Sequence, residues 1–388
     1  MSERRTSREM LETLVGFPTV SRDSNLPLID FVRDHLARYG VDSHLVKNAD
    51  GSKANLWATI GPDVDGGVVL SGHTDVVPVD GQAWSSDPFT LTERDGRLYG
   101  RGAADMKAFQ AITLALVPEM LDAGLKRPIH LALSYDEEVG CLGASDMIRD
   151  LRARAPAPAA VIVGEPTTMQ VVTQHKGVLG LCTHVTGYEV HSSLMHTGVS
   201  AVANAARLVA WLDDRTEENR RHAEETGGNS LFDPPYTTVH CGVIKGGTAH
   251  NITARECSFT TDIRTVPGER GDAYLERYRA YAAELEDRMH AVNPATGIEI
   301  QVMANAPGCR PERDGAAEAL CRRLTGDNGE HVVAFGAEGG QFQDEGFSTV
   351  LCGPGSIEQA HQPDEFISLD QLAAGEAFQR RLIEHLST

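Results

Sequence analysis

The chain has 388 residues, 41% hydrophobic and 23% charged, with a formal net charge of −20. That length favours two domains over one core, and that acidity disfavours phosphate backbones and anionic membranes, so nucleic acid and membrane are excluded as expected partners. Seven scattered cysteines without a C-x-x-C pair fit a reducing compartment and exclude a disulfide framework.

In chain order, the opening "MSERRTSREMLETLVGF" has no apolar block of signal type, and no apolar stretch reaches the roughly 18–20 residues of a membrane span. A cytoplasmic location is the expectation. Helical spacing recurs over 6–16 (Met10, Leu11, Leu14, Val15) and 27–40 (Leu28, Ile29, Phe31, Val32, Leu36), the second closing at Gly40. "NLWATIG" and "GVVLSGHTD" read as buried strands, and "AFQAITLALVPEMLDAG" as a helix broken near Pro118. "IHLALSYDEE", "GASDMIRDLRAR" and "AVIVGEP" continue the alternation as strand, helix and strand. The expected class is α/β, with a central mostly parallel sheet flanked by helices.

After about residue 176 the pattern changes. "GVLGLCTHVTG" alternates like a half-exposed strand, "GVSAVANAARLVAWL" is an amphipathic helix, and "TTVHCGVIKGG" and "ARECSFTTDIR" alternate again. A helix from 269 to about 290 and "GIEIQV" complete a β-α-β-β-α-β order, the ferredoxin-like split motif. The expected organisation is 1–178 and 306–388 as one domain, interrupted by an α+β insert over 179–305. "EETGGNS" near 224–230 reads as a loop.

The chemistry-bearing residues fall where apolar runs end. His73 closes "VVLSGH", and Asp75, two residues on, shares its face and is placed to accept the second ring N–H. Taken alone, the pair also fits a polar strand end. Asp105 leaves the glycine-rich "YGRGAADMK" at a helix start, where an N-cap is an equal explanation; the turn lacks the G-x-G-x-x-G spacing of a dinucleotide site. Asp136, Glu137 and Glu138 crowd the end of another strand, as a solvated acidic loop or as carboxylates that need a cation. Glu165 follows "VIVG", and His361 lies in the loop "GPGSIEQAHQPDEF". Together they are His and carboxylate donors without cysteine, suited to Zn²⁺, Mn²⁺ or Co²⁺. Asp105, Glu138, Glu165 and one hydroxide would balance two divalent ions.

"SGHTDVVP", "GRGAADMK", "DEEVGCLGA", "GEPT", "GGTAHNI", "DIRTVPG" and "GPGSIEQAHQPDEF", in this order over about 8–385, resemble the M20 family of dinuclear metallo-amidohydrolases. The resemblance implies two divalent ions, Zn²⁺ or Co²⁺, with His73 and Glu165 on one, Glu138 and His361 on the other, and Asp105 bridging. It implies Glu137 as general base, Asp75 as orienter of His73, and a cis peptide at Asp105–Met106. The insert becomes a lid and homodimerisation domain, from which His191 of "GYEVHSSLMHTGVSA" would reach a partner subunit's site to stabilise an oxyanion. Asn251, Arg264 and Glu338 would bind substrate, Arg264 as a carboxylate clamp, although His191 as a helix cap and Arg264 as a surface ion pair stay open. The implied reaction is hydrolysis of an N-acyl amino acid, with N2-acetyl-L-ornithine expected and a desuccinylase, aminoacylase or dipeptidase as alternatives. Leu194, Met195, Ser200, Ala108 and Ala337 depart from the family's frequent residues, and several border the substrate pocket, which leaves the acyl-amine open.

Overall fold

The structure, a computed structural model, describes residues 4–388; residues 1–3, the start of the stretch inspected for a leader, lie outside the described residues. The chain divides into two compact units. The first takes the residues up to Gln174, Cys309–Val332 and Ala337–Thr388, and the second takes His175–Gly308 with Val333–Gly336. No periodicity in the sequence assigns that last short stretch to the second unit.

The first unit is built on an eight-stranded sheet. Its order is Ser43–Lys47, Ala54–Ile60, Ile129–Ser134, Gly67–His73, Pro158–Val163, Thr349–Leu351, Val172–His175, His331–Val333. The four strands from Ile129–Ser134 to Thr349–Leu351 are parallel, and Ala54–Ile60 and Ser43–Lys47 join antiparallel at one side. Every residue of Gly67–His73 and of Ile129–Ser134 is buried, the burial expected of parallel strands covered on both faces. The core joins these strands to Leu11, Leu14, Leu28, Val32, Ile112, Phe378 and Leu382 of the flanking helices. The helix Ser7–Val15 starts with a capping box between Thr6 and Glu9. The expected break near Pro118 is present: Lys107–Ala115 ends at Leu116, and Val117–Asp122 restarts with proline in its first turn, where its missing N–H costs no hydrogen bond.

One small piece carries no clear periodicity in the sequence. Thr92–Arg94, Arg97–Tyr99 and Phe366–Ser368 form a three-stranded antiparallel sheet, too short for an alternation to stand out. Its middle strand leads into the turn that bears Asp105.

The second unit has a four-stranded antiparallel sheet ordered Thr238–Gly246, Glu256–Thr265, Gly177–Thr186, Gly297–Ala306, with helices Ala201–Thr226 and Gly271–His290. Gly177–Thr186 alternates strictly between buried and half-buried positions, and its inward Leu179, Leu181 and Val185 pack with Leu208, Phe259, Tyr278 and Leu285. One expectation is corrected: the start of "EETGGNS" is not loop. The helix from Ala201 continues to Thr226, where Gly227 at φ 87° ends it. Its second half is polar all round and shows no apolar stripe; instead Arg215–Glu218 and Arg220–Glu217 pair one turn apart, each at 2.8 Å. No helix among the described residues is long and apolar enough to cross a membrane.

Candidate metal centre

Three parallel strands of the first unit deliver ligand-type side chains at their carboxyl ends, the edge where open α/β sheets bind ligands. His73 is the last residue of Gly67–His73; Glu137 and Glu138 follow Ile129–Ser134; Glu165 follows Pro158–Val163. Asp105 does not come from a main-sheet strand: it leaves the turn after Arg97–Tyr99, at a cis peptide to Met106, and the helix Lys107–Ala115 begins beyond it.

These residues converge in two groups. His73, Asp105 and Glu165 bring ligand atoms within 4.8 Å of one another, and so do Asp105, Glu138 and His361. Asp105 belongs to both because its oxygens diverge: Oδ1 lies 3.1 Å from His73 Nε2, and Oδ2 lies 3.5 Å from His361 Nε2. His361 Nε2 is also 2.9 Å from Glu138 Oε2, and its side chain is 51% exposed, whereas His73, Asp105 and Glu165 are buried.

The electrostatics are those of crowded carboxylates. Burial, with the Glu165 carboxylate nearby, pushes Glu137 well above the usual carboxylate range. Glu165 is raised in the same way by burial and by Asp105, and Glu138 is pushed up to about 7 by burial and Asp105. Asp105 moves the other way: burial acts to raise it, but hydrogen bonds from His361 and His73 hold it below its ordinary value. Those hydrogen bonds to Asp105 and Glu138 raise His361 to about 10. One oxygen of Glu165 is buried without any hydrogen-bond partner. A shared carboxylate between two histidine-carboxylate groups, crowded by further acids and holding an unpartnered buried oxygen, fits two divalent cations of borderline hardness.

Asp75 orients His73 differently from the sequence expectation. His73 Nδ1 donates to the Asp75 backbone carbonyl at 2.9 Å, while the carboxylate stands 3.7 Å away. That carboxylate is taken by other donors, the Ser21 hydroxyl at 2.7 Å and the backbone N–H groups of Glu137 at 3.2 Å and Glu138 at 3.3 Å. It therefore sets the backbone of the two glutamates. Asp136 turns away to pair with Lys53, which frees the three consecutive acids for separate tasks.

Glu338 is 1% exposed, its carboxylate beside the buried hydroxyls of Ser134 and Ser71. Burial pushes it to about 7, and His73 and Asp75 are among the charges it feels. The remaining expected residues lie in the second unit. His191 caps the short helix Ser192–Thr197, its Nδ1 accepting the Ser193 N–H at 3.2 Å, which leaves the ring proton on Nε2. The Asn251 carbonyl accepts the Ser192 N–H at 2.9 Å. Arg264 Nε pairs with Asp262 at 2.9 Å, with both side chains more than a third exposed. Sequence reasoning missed Gln110, which donates to the His73 carbonyl, and the buried pair Arg101–Glu365. The signal was present in an arginine inside a glycine-rich turn and a glutamate beside the loop histidine, both within motifs already singled out.

Backbone must approach closely where Glu165 is placed. A Cβ on Gly164 would stand 2.1 Å from Cγ of the Phe109 ring. Gly164→Ala is therefore expected to lower stability by at least about 1–3 kcal/mol through overpacking. Thermal unfolding checks this, and an unchanged midpoint would show that Phe109 yields freely.

Comparisons with known proteins bear on the family and the fold. The profile of peptidase family M20/M25/M40 matches residues 69–385. The chain is 35% identical to a protein named acetylornithine deacetylase from Myxococcus xanthus, covering 97% of each, and 33% identical to one of that name from Pasteurella multocida, covering 93% of each. Among solved structures it resembles an M20 family metallo-carboxypeptidase from Sulfolobus solfataricus (TM-score 0.79, 19% identity, 99% of each chain). It also resembles the Bacillus subtilis YXEP protein, a dinuclear metal-binding peptidase of the M20 family (TM-score 0.61, 15% identity, 97% of this chain and 96% of that one).

Proposed function

This chain belongs to peptidase family M20/M25/M40 and is an enzyme that hydrolyses amide bonds, and on that premise we propose that it deacylates an N-acyl amino acid, converting N2-acetyl-L-ornithine and water to L-ornithine and acetate. The observation that carries the chemistry is Asp105, shared by two ligand groups with Glu137 beside both and in neither. The substrate rests on relatives named acetylornithine deacetylase, 33–35% identical over nearly the whole chain.

In this reading His73, Asp105 and Glu165 hold one divalent ion, and Asp105, Glu138 and His361 hold the other, Zn²⁺ or Co²⁺. Such ions lower the pKa of water from about 15.7 toward about 7 and polarise a carbonyl oxygen. Glu137 takes the proton of the attacking water and returns it to the leaving nitrogen, a task open to it because it belongs to neither ligand group. His191, with its proton on Nε2, donates to the oxyanion in a partner subunit's site. Arg264 exchanges Asp262 for the substrate carboxylate as a two-pronged clamp, with Asn251 and Glu338 as further substrate groups. Residues 179–305 form the lid and the homodimer contact. A cytoplasmic role in arginine biosynthesis completes the proposal, and the seven free cysteines accord with a reducing compartment.

The test is ninhydrin-detected amine release from a panel of N-acyl amino acids, N-succinyl-diaminopimelate and dipeptides, with added Zn²⁺ or Co²⁺. The highest kcat/KM is expected on N2-acetyl-L-ornithine. Faster turnover of a dipeptide or the succinyl compound would move the assignment to a desuccinylase, aminoacylase or dipeptidase, and no amine from any substrate would overturn it.

A further inference from the structure

Two of the ligand-type residues hang on irregular chain, and both segments are tied to one carboxylate. Glu365 is 1% exposed. Its oxygens accept the backbone N–H groups of Gly102 at 3.1 Å, Ala104 at 2.9 Å and Asp105 at 3.0 Å. They also accept the Arg101 guanidinium at 2.6 Å, and Arg101 is equally buried. The other terminal nitrogen of Arg101 donates to Gln82 Oε1 at 2.6 Å, and the Gln82 amide donates to the His361 carbonyl at 2.8 Å. An unbroken chain of hydrogen bonds thus runs from the Asp105 N–H through Glu365, Arg101 and Gln82 to the backbone of His361.

A buried ion pair is weak evidence of a stabilising role, since well-packed apolar residues often serve a fold as well or better. What this pair does hold is geometry. Backbone donors converge on Glu365 from the turn that aims the Asp105 carboxylate, and Gln82 sets the loop carrying His361. The His73–Asp105–Glu165 group is anchored otherwise. His73 ends a fully buried strand, and Glu165 follows Gly164, whose N–H bonds the Ser71 carbonyl at 2.9 Å. Two of its three members are therefore placed by the sheet, against one in the Asp105–Glu138–His361 group.

We propose that Glu365 is the positioning residue of the Asp105–Glu138–His361 group, setting its affinity for a cation through the chain Glu365–Arg101–Gln82. This rests on the reading of two ion sites. Removing outer partners of metal ligands costs about 10–100-fold in affinity, and the loss falls on the group with fewer ligands in the sheet.

The test is Co²⁺ binding to the full chain, by competition with a chromophoric chelator and by visible absorption during stepwise addition. The wild-type chain is expected to take two ions. In Gln82→Ala, which leaves the buried pair intact, the weaker site loses about 10–100-fold in affinity and the tighter one less than about threefold; in Glu365→Gln, which also loosens the shared Asp105 turn, both sites weaken and the weaker one loses at least about tenfold more. In a His361→Ala background, Gln82→Ala adds no further loss at the remaining ion, because its amide donates to the His361 backbone and to no member of the other group. Arg152→Ala, at a surface pair with Glu345, leaves both sites unchanged. Equal weakening of both sites, or no weakening in Gln82→Ala, overturns the proposal alone. A wild-type chain that binds fewer than two ions overturns the two-ion reading and the proposal with it.

Discussion

Glu137→Gln is expected to lower kcat by about two to four orders of magnitude while two ions stay bound, the usual range for loss of a general base. The substitution preserves shape and removes the capacity to take a proton, together with one negative charge. Glu137 belongs to neither ligand group, so metal content has no reason to change. Its backbone N–H stays on the Asp75 carboxylate and its Oε1 lies 3.4 Å from the Cys141 thiol, contacts that glutamine can retain. Because the proton is moved in the transition state and not on binding, kcat and kcat/KM should fall together. Steady-state kinetics with metal analysis of the same preparation decide the matter. Turnover near the wild-type rate would remove Glu137 from the mechanism.

Asp105→Ala should abolish tight binding of both ions, a larger effect than loss of any other ligand. Structural zinc sites with four ligands are worth roughly 10–16 kcal/mol, so one ligand carries roughly 3 kcal/mol, or about a hundredfold in affinity. Asp105 alone occurs in both groups, so that loss is incurred twice, whereas Glu165→Ala or His361→Ala incurs it once. Dialysed Asp105→Ala protein is expected to hold less than one ion per chain and to show no turnover above background. Glu165→Ala should retain one ion. Equal metal loss in the two variants would contradict a shared carboxylate. Thermal unfolding of the metal-free proteins serves as a control for folding.

Much of the architecture is legible in the sequence because burial and periodicity are local properties. The fully buried strand Gly67–His73 reads as a continuous apolar run, and Gly177–Thr186 as an alternation, since each side chain's environment repeats with the pleat. The polar half of the helix Ala201–Thr226 is not legible in that way, because charge pairs one turn apart leave no apolar stripe. The short strands around Arg97–Tyr99 hold too few residues for a period to show.

At the candidate metal centre, residue type and position at the end of an apolar run mark His73, Glu137, Glu138 and Glu165 as candidates, each with a structural alternative when taken alone, because strands deliver their last side chains to one edge of a sheet. Asp105 and His361 were ambiguous, as a helix cap and a loop histidine, until their motifs were taken together. Only the tertiary structure decides that His73 and His361, far apart in the chain, face the two oxygens of one aspartate. Only there does the Asp75 carbonyl, and not its carboxylate, receive the His73 proton. The role of Glu365 was equally hidden, because its partners are mostly backbone N–H groups. Every residue but proline carries such a donor, so its use leaves no mark on side-chain identity, and only the path of the folded chain determines which acceptor it meets.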